Sequence, residues 1–176
     1  MNIASDNVIP TLAEAVAISA APAIIRQALG RALRQLEAST EPMAWEIIPL
    51  TAFEGLVPMS VHSCWVFVVR GGIATGAERH PNSHQRSLSL TGRGRFELYE
   101  QDVWTPYPLV SPDTGVAGAR WVTIPPLTWH RLFSGPDHWG MLSFHTVPAQ
   151  ELIEERPIDP AHLTGATRQE RYADRE

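Results

Sequence analysis

The first part of the chain, from about residue 11 to 39, repeats apolar residues at helical spacing. Thr11 and Glu14 have the spacing of a capping box, which predicts a helix start at Thr11. Pro22 predicts a kink or a division into two helices, because proline removes a helical hydrogen bond. Arginines lie opposite the apolar stripe, so the segment is amphipathic and must pack on its own domain or on a partner subunit. The apolar positions are Leu12, Ala15, Val16, Ile18, Ile24, Ile25, Leu29, Leu33 and Leu36.

From about residue 45 to 147 the pattern changes to short runs of β-branched and aromatic residues, separated by glycine and proline turns. No helical pattern alternates with these runs, which argues against a parallel βαβ sheet. We expect an antiparallel sandwich or barrel. The predicted strands are 66–70, 86–90, 95–99, 120–124 and 141–147, with a further strand that begins at His130.

The remaining residues, 148–176, are polar and interrupted by prolines. They predict one or two helical turns at 149–155 and, over the last dozen residues, a loose tail or an arm that wraps a partner. The predicted organisation is an N-terminal helical extension (1–42), a β-barrel domain (43–148) and a C-terminal polar tail (149–176).

The composition excludes several kinds of chemistry. All 14 basic side chains are arginines, against 19 carboxylates and a net charge of -5. Without lysine there is no Schiff base and no P-loop, and the acid excess argues against a nucleic-acid partner. The single cysteine, Cys64, cannot form an intramolecular disulfide. No apolar stretch is long enough to span a membrane and no basic signal region precedes residue 10, so we expect a cytoplasmic protein without a membrane partner.

Histidines mark the segments with candidate chemistry. Glu78, His80 and His84 occupy alternate positions and share one face of an extended chain, which is typical of half a metal site. His130 follows a Pro-Pro turn and can supply a ligand from across a barrel. His145 lies on the neighbouring predicted strand. Its role can be that of a fourth ligand, a proton shuttle or a histidine of the core.

The first of these segments resembles the first motif of the cupin superfamily, G-x5-H-x-H-x3,4-E-x6-G. Counted back from Gly92, Gln85 takes the glutamate position with the longer spacer and His84 takes it with the shorter one. The two histidine positions fall on Glu78 and His80. With the shorter spacer this sequence has Glu-x-His-x3-His where the family has His-x-His-x3-Glu. The order of the ligand types differs, but the number of ligands is the same.

The second segment resembles the second cupin motif, G-x5-P-x-G-x2-H-x3-N. Pro125 and His130 hold the spacing, while Leu127 replaces the glycine and Ser134 the asparagine. The resemblance covers residues 45–147. It implies an all-β fold, an antiparallel jelly-roll (double-stranded β-helix) barrel, here with the N-terminal α-helical extension.

The resemblance also implies one divalent metal, held by His80, His84 and His130 and completed by Glu78 or water. Iron(II) suits such ligands, and Ni²⁺, Mn²⁺ or Zn²⁺ are alternatives. Glu78, if not a ligand, is a candidate catalytic proton shuttle. The candidate substrate-binding residues are Gln85, Arg86, Trp129 and His145.

The function expected from this resemblance is that of a small-molecule metalloenzyme such as a non-haem iron dioxygenase. A non-catalytic ligand-binding or sensing barrel and a metal-dependent isomerase or lyase are the alternatives. Arginines flank both motifs, which favours a small anionic or oxygen-rich ligand. We also expect a homodimer, because barrels of this kind often pair and because the amphipathic helices need a surface to cover.

Overall fold

A computed structural model describes residues 7–18 and 20–174 of the chain. Residues 1–6 of the predicted extension and 175–176 of the predicted tail lie outside this part. The helices and strands are α1 (Val8–Ala17), α2 (Ala21–Glu37), β1 (Met43–Ile48), β2 (Ser63–Val69), β3 (Gln85–Thr91), β4 (Arg93–Glu100), β5 (Val103–Val110), β6 (Trp121–Ile124), β7 (His130–Ser134), β8 (Trp139–His145), β9 (Ile153–Pro157) and β10 (Thr167–Arg171).

The strands form an antiparallel jelly-roll barrel. A five-stranded sheet has the order β1-β2-β8-β3-β6, and a three-stranded sheet has the order β5-β4-β7. Both sheets contribute to one apolar cluster, which contains Trp65 and Met141 from the first sheet and Phe96, Leu109 and Leu132 from the second. The fold class predicted from the sequence is confirmed.

The central strand β2 shows why the sheet is covered on both sides. All of its residues are buried, whereas a strand with one wet face alternates apolar and polar side chains. Trp65 and Phe67 belong to the cluster inside the barrel, and Val66 and Val68 belong to a second cluster shared with the helices. The unbroken apolar run of β2 is therefore explained by burial on two faces.

The helices cover the outer face of the five-stranded sheet. The buried face of α2 consists mostly of small residues, such as Ala28 and Ala32, which let the helix lie close to the strands. The sequence predicts that the amphipathic helices pack either on their own domain or on a partner subunit. In the structure they pack on their own domain.

The start of the first helix differs from the prediction. α1 begins at Val8, so Thr11 lies within the helix and is not its cap. Pro10 falls in the first turn, where a missing backbone N–H costs nothing. The predicted division near Pro22 is confirmed, because α1 ends at Ala17 and Pro22 lies in the first turn of α2.

The C-terminal segment is more ordered than the sequence indicates. A short 3-10 helix covers Ala149–Glu151, and β9 and β10 then pair as an antiparallel hairpin. Tyr172 follows β10 and is buried in the barrel cluster. The expectation of a loose tail is wrong for residues 167–174, because strand pairing and burial of an aromatic ring hold them.

Within the described residues, no single helix has both the length and the apolar character needed to cross a membrane. Taken together, α1 and α2 do reach that length and composition, as a sharply bent pair.

Candidate metal centre

Three ligand-type side chains meet inside the barrel. Glu78 and His80 lie between β2 and β3, and His130 is the first residue of β7. Two backbone hydrogen bonds join Glu78 and His130, with N–O distances of 2.9 and 2.8 Å, and set the two segments side by side. One ligand atom from each of the three residues lies within 4.8 Å of the others, and all three residues are buried.

The imidazole rings of this cluster are held by backbone carbonyls. Nδ1 of His80 lies 2.9 Å from the carbonyl oxygen of Ile153, and Nδ1 of His130 lies 3.1 Å from that of Thr128. A carbonyl oxygen only accepts hydrogen bonds, so each Nδ1 carries the proton and donates it. Nε2 is then the second ring nitrogen of each residue, the one that binds a metal when it is unprotonated.

The carboxylate of Glu78 is ionised and divided between two neighbours. Oε1 lies 3.6 Å from Nε2 of His130, and Oε2 accepts a hydrogen bond of 2.9 Å from Nη2 of Arg156. Burial alone would raise the pKa of Glu78, but its contact with His130 and the charges of Arg156 and the imidazoles lower that pKa to about 2. Glu78 is therefore an anion at neutral pH, which suits a metal-ligand candidate, and a weak proton acceptor.

Gln85 and His145 face each other next to the cluster, as partners in the β3–β8 register. Nδ1 of His145 lies 3.2 Å from Oγ of Ser83. Burial lowers the pKa of His145 well below its usual value, and the nearby His80 and His130 lower it further. His145 is thus a neutral imidazole.

Several buried polar atoms here have no hydrogen-bond partner among the described residues: Nε2 of His130, Nε2 of His145 and Oε1 of Gln85. A buried acceptor without a partner costs about 1–3 kcal/mol. Glu78, His80, Gln85 and His145 line a cavity of about 20 Å³, and such a volume is enough for about one water molecule or ion. Two imidazoles, one carboxylate and these polar atoms without partners fit one divalent metal ion.

No protein-family model matches the sequence, and no curated protein matches it significantly. Solved structures do resemble it. Recombinant oxalate oxidase in complex with glycolate is 13% identical, with a TM-score of 0.46 over 62% of this chain and 53% of that one. The Lactobacillus farciminis oxalate decarboxylase formate complex is 14% identical, with a TM-score of 0.47 over 61% of this chain and 30% of that one.

The capsular polysaccharide assembling protein CapF from Staphylococcus aureus is 16% identical, with a TM-score of 0.47 over 73% of this chain and 32% of that one. This chain therefore spans about half of the oxalate oxidase structure and about a third of the other two. At these identities the likeness concerns the fold.

The jelly-roll strand order brings the predicted motif residues Glu78, His80 and His130 together between the two sheets. The chain has the cupin fold. Leu127, at the glycine position of the second cupin motif, adopts a left-handed backbone conformation with φ of 64°. Glycine favours this conformation, so the backbone keeps the turn of the motif although the side chain differs.

Not every predicted ligand of the cupin motif joins the cluster. His84 is not one of the three grouped ligand residues. A turn at Pro81 and Asn82 interrupts the extended chain, so His84 does not keep the alternation of Glu78 and His80. Gln85 lines the cavity instead, which favours the longer of the two motif spacers.

Two predicted substrate-binding residues do not line this cavity. Arg86 follows Gln85 on β3 and therefore points to the opposite, helix-covered side of the sheet. Trp129 is buried beside the barrel, with the guanidinium of Arg79 stacked 4.3 Å from its ring centre. The other two predicted residues, Gln85 and His145, do line the cavity.

The C-terminal hairpin contributes site residues that the sequence does not reveal. Ile153 holds the ring of His80, Arg156 binds Glu78, and Leu152 and Tyr172 line the cavity. Asn82 fastens this segment through bonds to the backbone of residues 151 and 153. No motif marks these residues, because their role depends on contacts between distant parts of the chain.

Proposed function

We propose that Glu78, His80 and His130 hold one divalent metal ion and that the protein is a small-molecule metalloenzyme, such as a non-haem iron dioxygenase. The observation that carries this proposal is the buried group of one carboxylate and two imidazoles, with each imidazole held at Nδ1 by a backbone carbonyl. This donor set, with further positions open, suits iron(II). Nickel, manganese and zinc are the alternatives, because imidazole binds each of them.

A divalent metal ion supplies a Lewis acid, and iron(II) also supplies chemistry with oxygen. The residues of the chain have separate parts in the proposal. Glu78 remains charged because His130 lies beside one of its oxygens and Arg156 pairs with the other. His145 is a neutral imidazole whose Nε2 has no hydrogen-bond partner within the described residues, so it offers a hydrogen-bonding position to a bound ligand. Phe67, Phe96 and Leu132 form apolar walls that exclude water.

The proposal is tested by metal analysis of protein purified without chelators or a metal-affinity tag. We expect about one metal ion per chain in the wild type, as for a mononuclear site. His130→Ala should lower the content to about one tenth of that or less, while His62→Ala, which changes an exposed histidine, should leave it unchanged. A wild-type protein that takes up neither iron, nickel, manganese nor zinc would contradict the proposal.

Stability gives a second readout. A metal bound to the folded state stabilises that state, so EDTA should lower the melting temperature of the wild type and of His62→Ala. The same treatment should leave His130→Ala unchanged.

A non-catalytic ligand-binding or sensing barrel is the second candidate. The small cavity favours it, since about 20 Å³ does not admit a substrate while Leu152 and Tyr172 cover the site. Tightly bound metal without oxygen consumption across a panel of small organic acids and catechols would support this candidate. Turnover without oxygen would support a metal-dependent isomerase or lyase.

A further inference from the structure

Strand β1 forms an uncovered edge of the five-stranded sheet. β2 pairs with it on one side, and within the described residues no strand pairs with it on the other side. Instead, Pro42, Met43, Ala44 and Trp45 line a groove of about 860 Å³. The free side of β1 is therefore accessible to a further strand.

The hydrogen-bond pattern of β1 shows which backbone groups face away from β2. The N–H of Arg70 donates to the carbonyl of Pro42 at 2.9 Å, next to the pair Met43 and Val69 in the register of the two strands. Hydrogen-bonded pairs alternate along an antiparallel ladder. Met43 and the two positions that follow at alternate places, Trp45 and Ile47, therefore direct their N–H and C=O groups outward. In the described part of the chain, these groups have no hydrogen-bond partner.

The other sheet edges are protected, whereas β1 is not. Proteins prevent strand addition with prolines, charged residues, short edge strands or a covering segment. β5 contains prolines, β6 has four residues, and β10 is polar and charged. Residues 73–79 bond to β7 and β9 and cover them.

The side chains of β1 lack these protective features. Its six residues are apolar except Glu46, and the carboxylate of Glu46 pairs with Arg31 at an N–O distance of 2.6 Å. Ile47 is 46% exposed. An apolar edge strand of this length with free backbone groups is typical of a surface that pairs with another strand.

The sequence of β1 is complementary to a second copy of itself. In an antiparallel pair centred on Trp45, the outward backbone groups of Met43 meet those of the partner's Ile47. On the other face of the strand, Glu46 lies opposite the partner's Ala44, so that no like charges face each other. The exposed Ile47 packs against the partner's Met43 in this arrangement.

We propose that β1 pairs antiparallel with β1 of a second copy of this chain, about a two-fold axis at Trp45. The pairing joins the two five-stranded sheets into one continuous sheet. A two-fold contact uses the same surface on both chains, and strand addition at an open edge gains main-chain hydrogen bonds. This inference concerns a surface outside the metal centre and does not depend on the proposed function.

Light scattering on the wild type and two variants tests the proposal. Ile47→Lys places a charge on the edge, and Ile158→Lys makes the same change at a residue that is 68% exposed and lies outside β1. The wild type and Ile158→Lys should have a mass near twice 19.5 kDa, and Ile47→Lys a mass near 19.5 kDa. A monomeric wild type, a dimeric Ile47→Lys or equal dissociation of both variants would overturn the proposal.

Amide hydrogen exchange in the wild type gives a measurement that needs no variant. The N–H groups of Ala44 and Glu46 bond to β2, so they exchange slowly in any assembly state. In the proposed dimer the outward N–H groups of Trp45 and Ile47 should exchange as slowly, because the partner strand binds them. Fast exchange of these two groups in a dimeric protein would overturn the proposal and place the dimer contact on another surface.

Discussion

Leu127 carries local backbone strain next to a proposed ligand. Its φ of 64° lies in the left-handed region, which costs a residue with a side chain about 1–2 kcal/mol. Its N–H donates to the carbonyl of His80 at 3.1 Å. The strained turn therefore holds the backbone that carries a metal-ligand candidate.

Leu127→Gly should stabilise the protein. Glycine removes the strain but loses about 0.5–1 kcal/mol of chain entropy on folding, so the expected net gain is about 0.5–1 kcal/mol. The Leu127 side chain is 55% exposed and contributes little burial. Urea denaturation measures the change.

Leu127→Ala is the control for this prediction. Alanine keeps the strained Cβ and shortens the same side chain, so it should bring no gain. If the glycine variant were less stable than the alanine variant, strain at this position would not be the dominant effect.

At the level of single residues, the sequence identifies much of the site but not its surroundings. Glu78, His80 and His130 could be found because alternation and motif spacing depend on nearby positions. The turn at Pro81 changes which side chain points inward, so strict alternation predicts His84 where Gln85 lines the cavity. Arg156 could not be found, since only the folded chain brings it to Glu78.

Among the secondary-structure elements, the three-stranded sheet contains a carboxylate that joins two strands. Glu97 on β4 accepts hydrogen bonds from Arg95 on the same strand and from Arg131 on β7, with N–O distances of 2.9 and 2.8 Å. Burial alone would raise the pKa of Glu97, but the two guanidinium groups lower it below its usual value.

This lowered pKa makes the stability of the sheet dependent on pH. A carboxylate whose folded pKa is depressed stabilises the folded state above its unfolded pKa, about 4.3 for glutamate. That contribution is lost as the pH falls through the folded value. From pH 7 to pH 3, the free energy of unfolding should therefore fall more steeply for the wild type than for Glu97→Gln.

The matched control for Glu97→Gln is Glu14→Gln, at an exposed position of α1. It should keep the pH dependence of the wild type. Parallel curves for the wild type and Glu97→Gln would contradict the assigned role of Glu97.

The elements missed from the sequence have identifiable physical reasons. β5 contains Pro106 and Pro108, which are typical of loops, and it is tolerated as a strand because it forms an edge of its sheet. β9 and β10 are polar and have no apolar alternation. Their position depends on ion pairs such as Arg79 with Glu155, at 2.6 Å, and such long-range pairs are invisible to a local pattern.

At the scale of the whole molecule, the homodimer stays a prediction, because the structure describes a single chain. The helices cover their own five-stranded sheet, so one of the two reasons for expecting a homodimer no longer applies. The tendency of such barrels to pair remains. Light scattering should give a mass near twice the chain mass of 19.5 kDa, and a mass near 19.5 kDa would contradict the dimer.

The single thiol of the chain gives this architecture a built-in reporter. Cys64 is fully buried between the sheet and the helices, and burial raises the pKa of its thiol well above the usual value. A thiol reagent can react with Cys64 only after the elements packed on this face of the sheet separate from it, because the thiol is buried and because the thiolate is the reactive form. The rate of Cys64 labelling in the native protein therefore measures how often that layer opens, without any added probe.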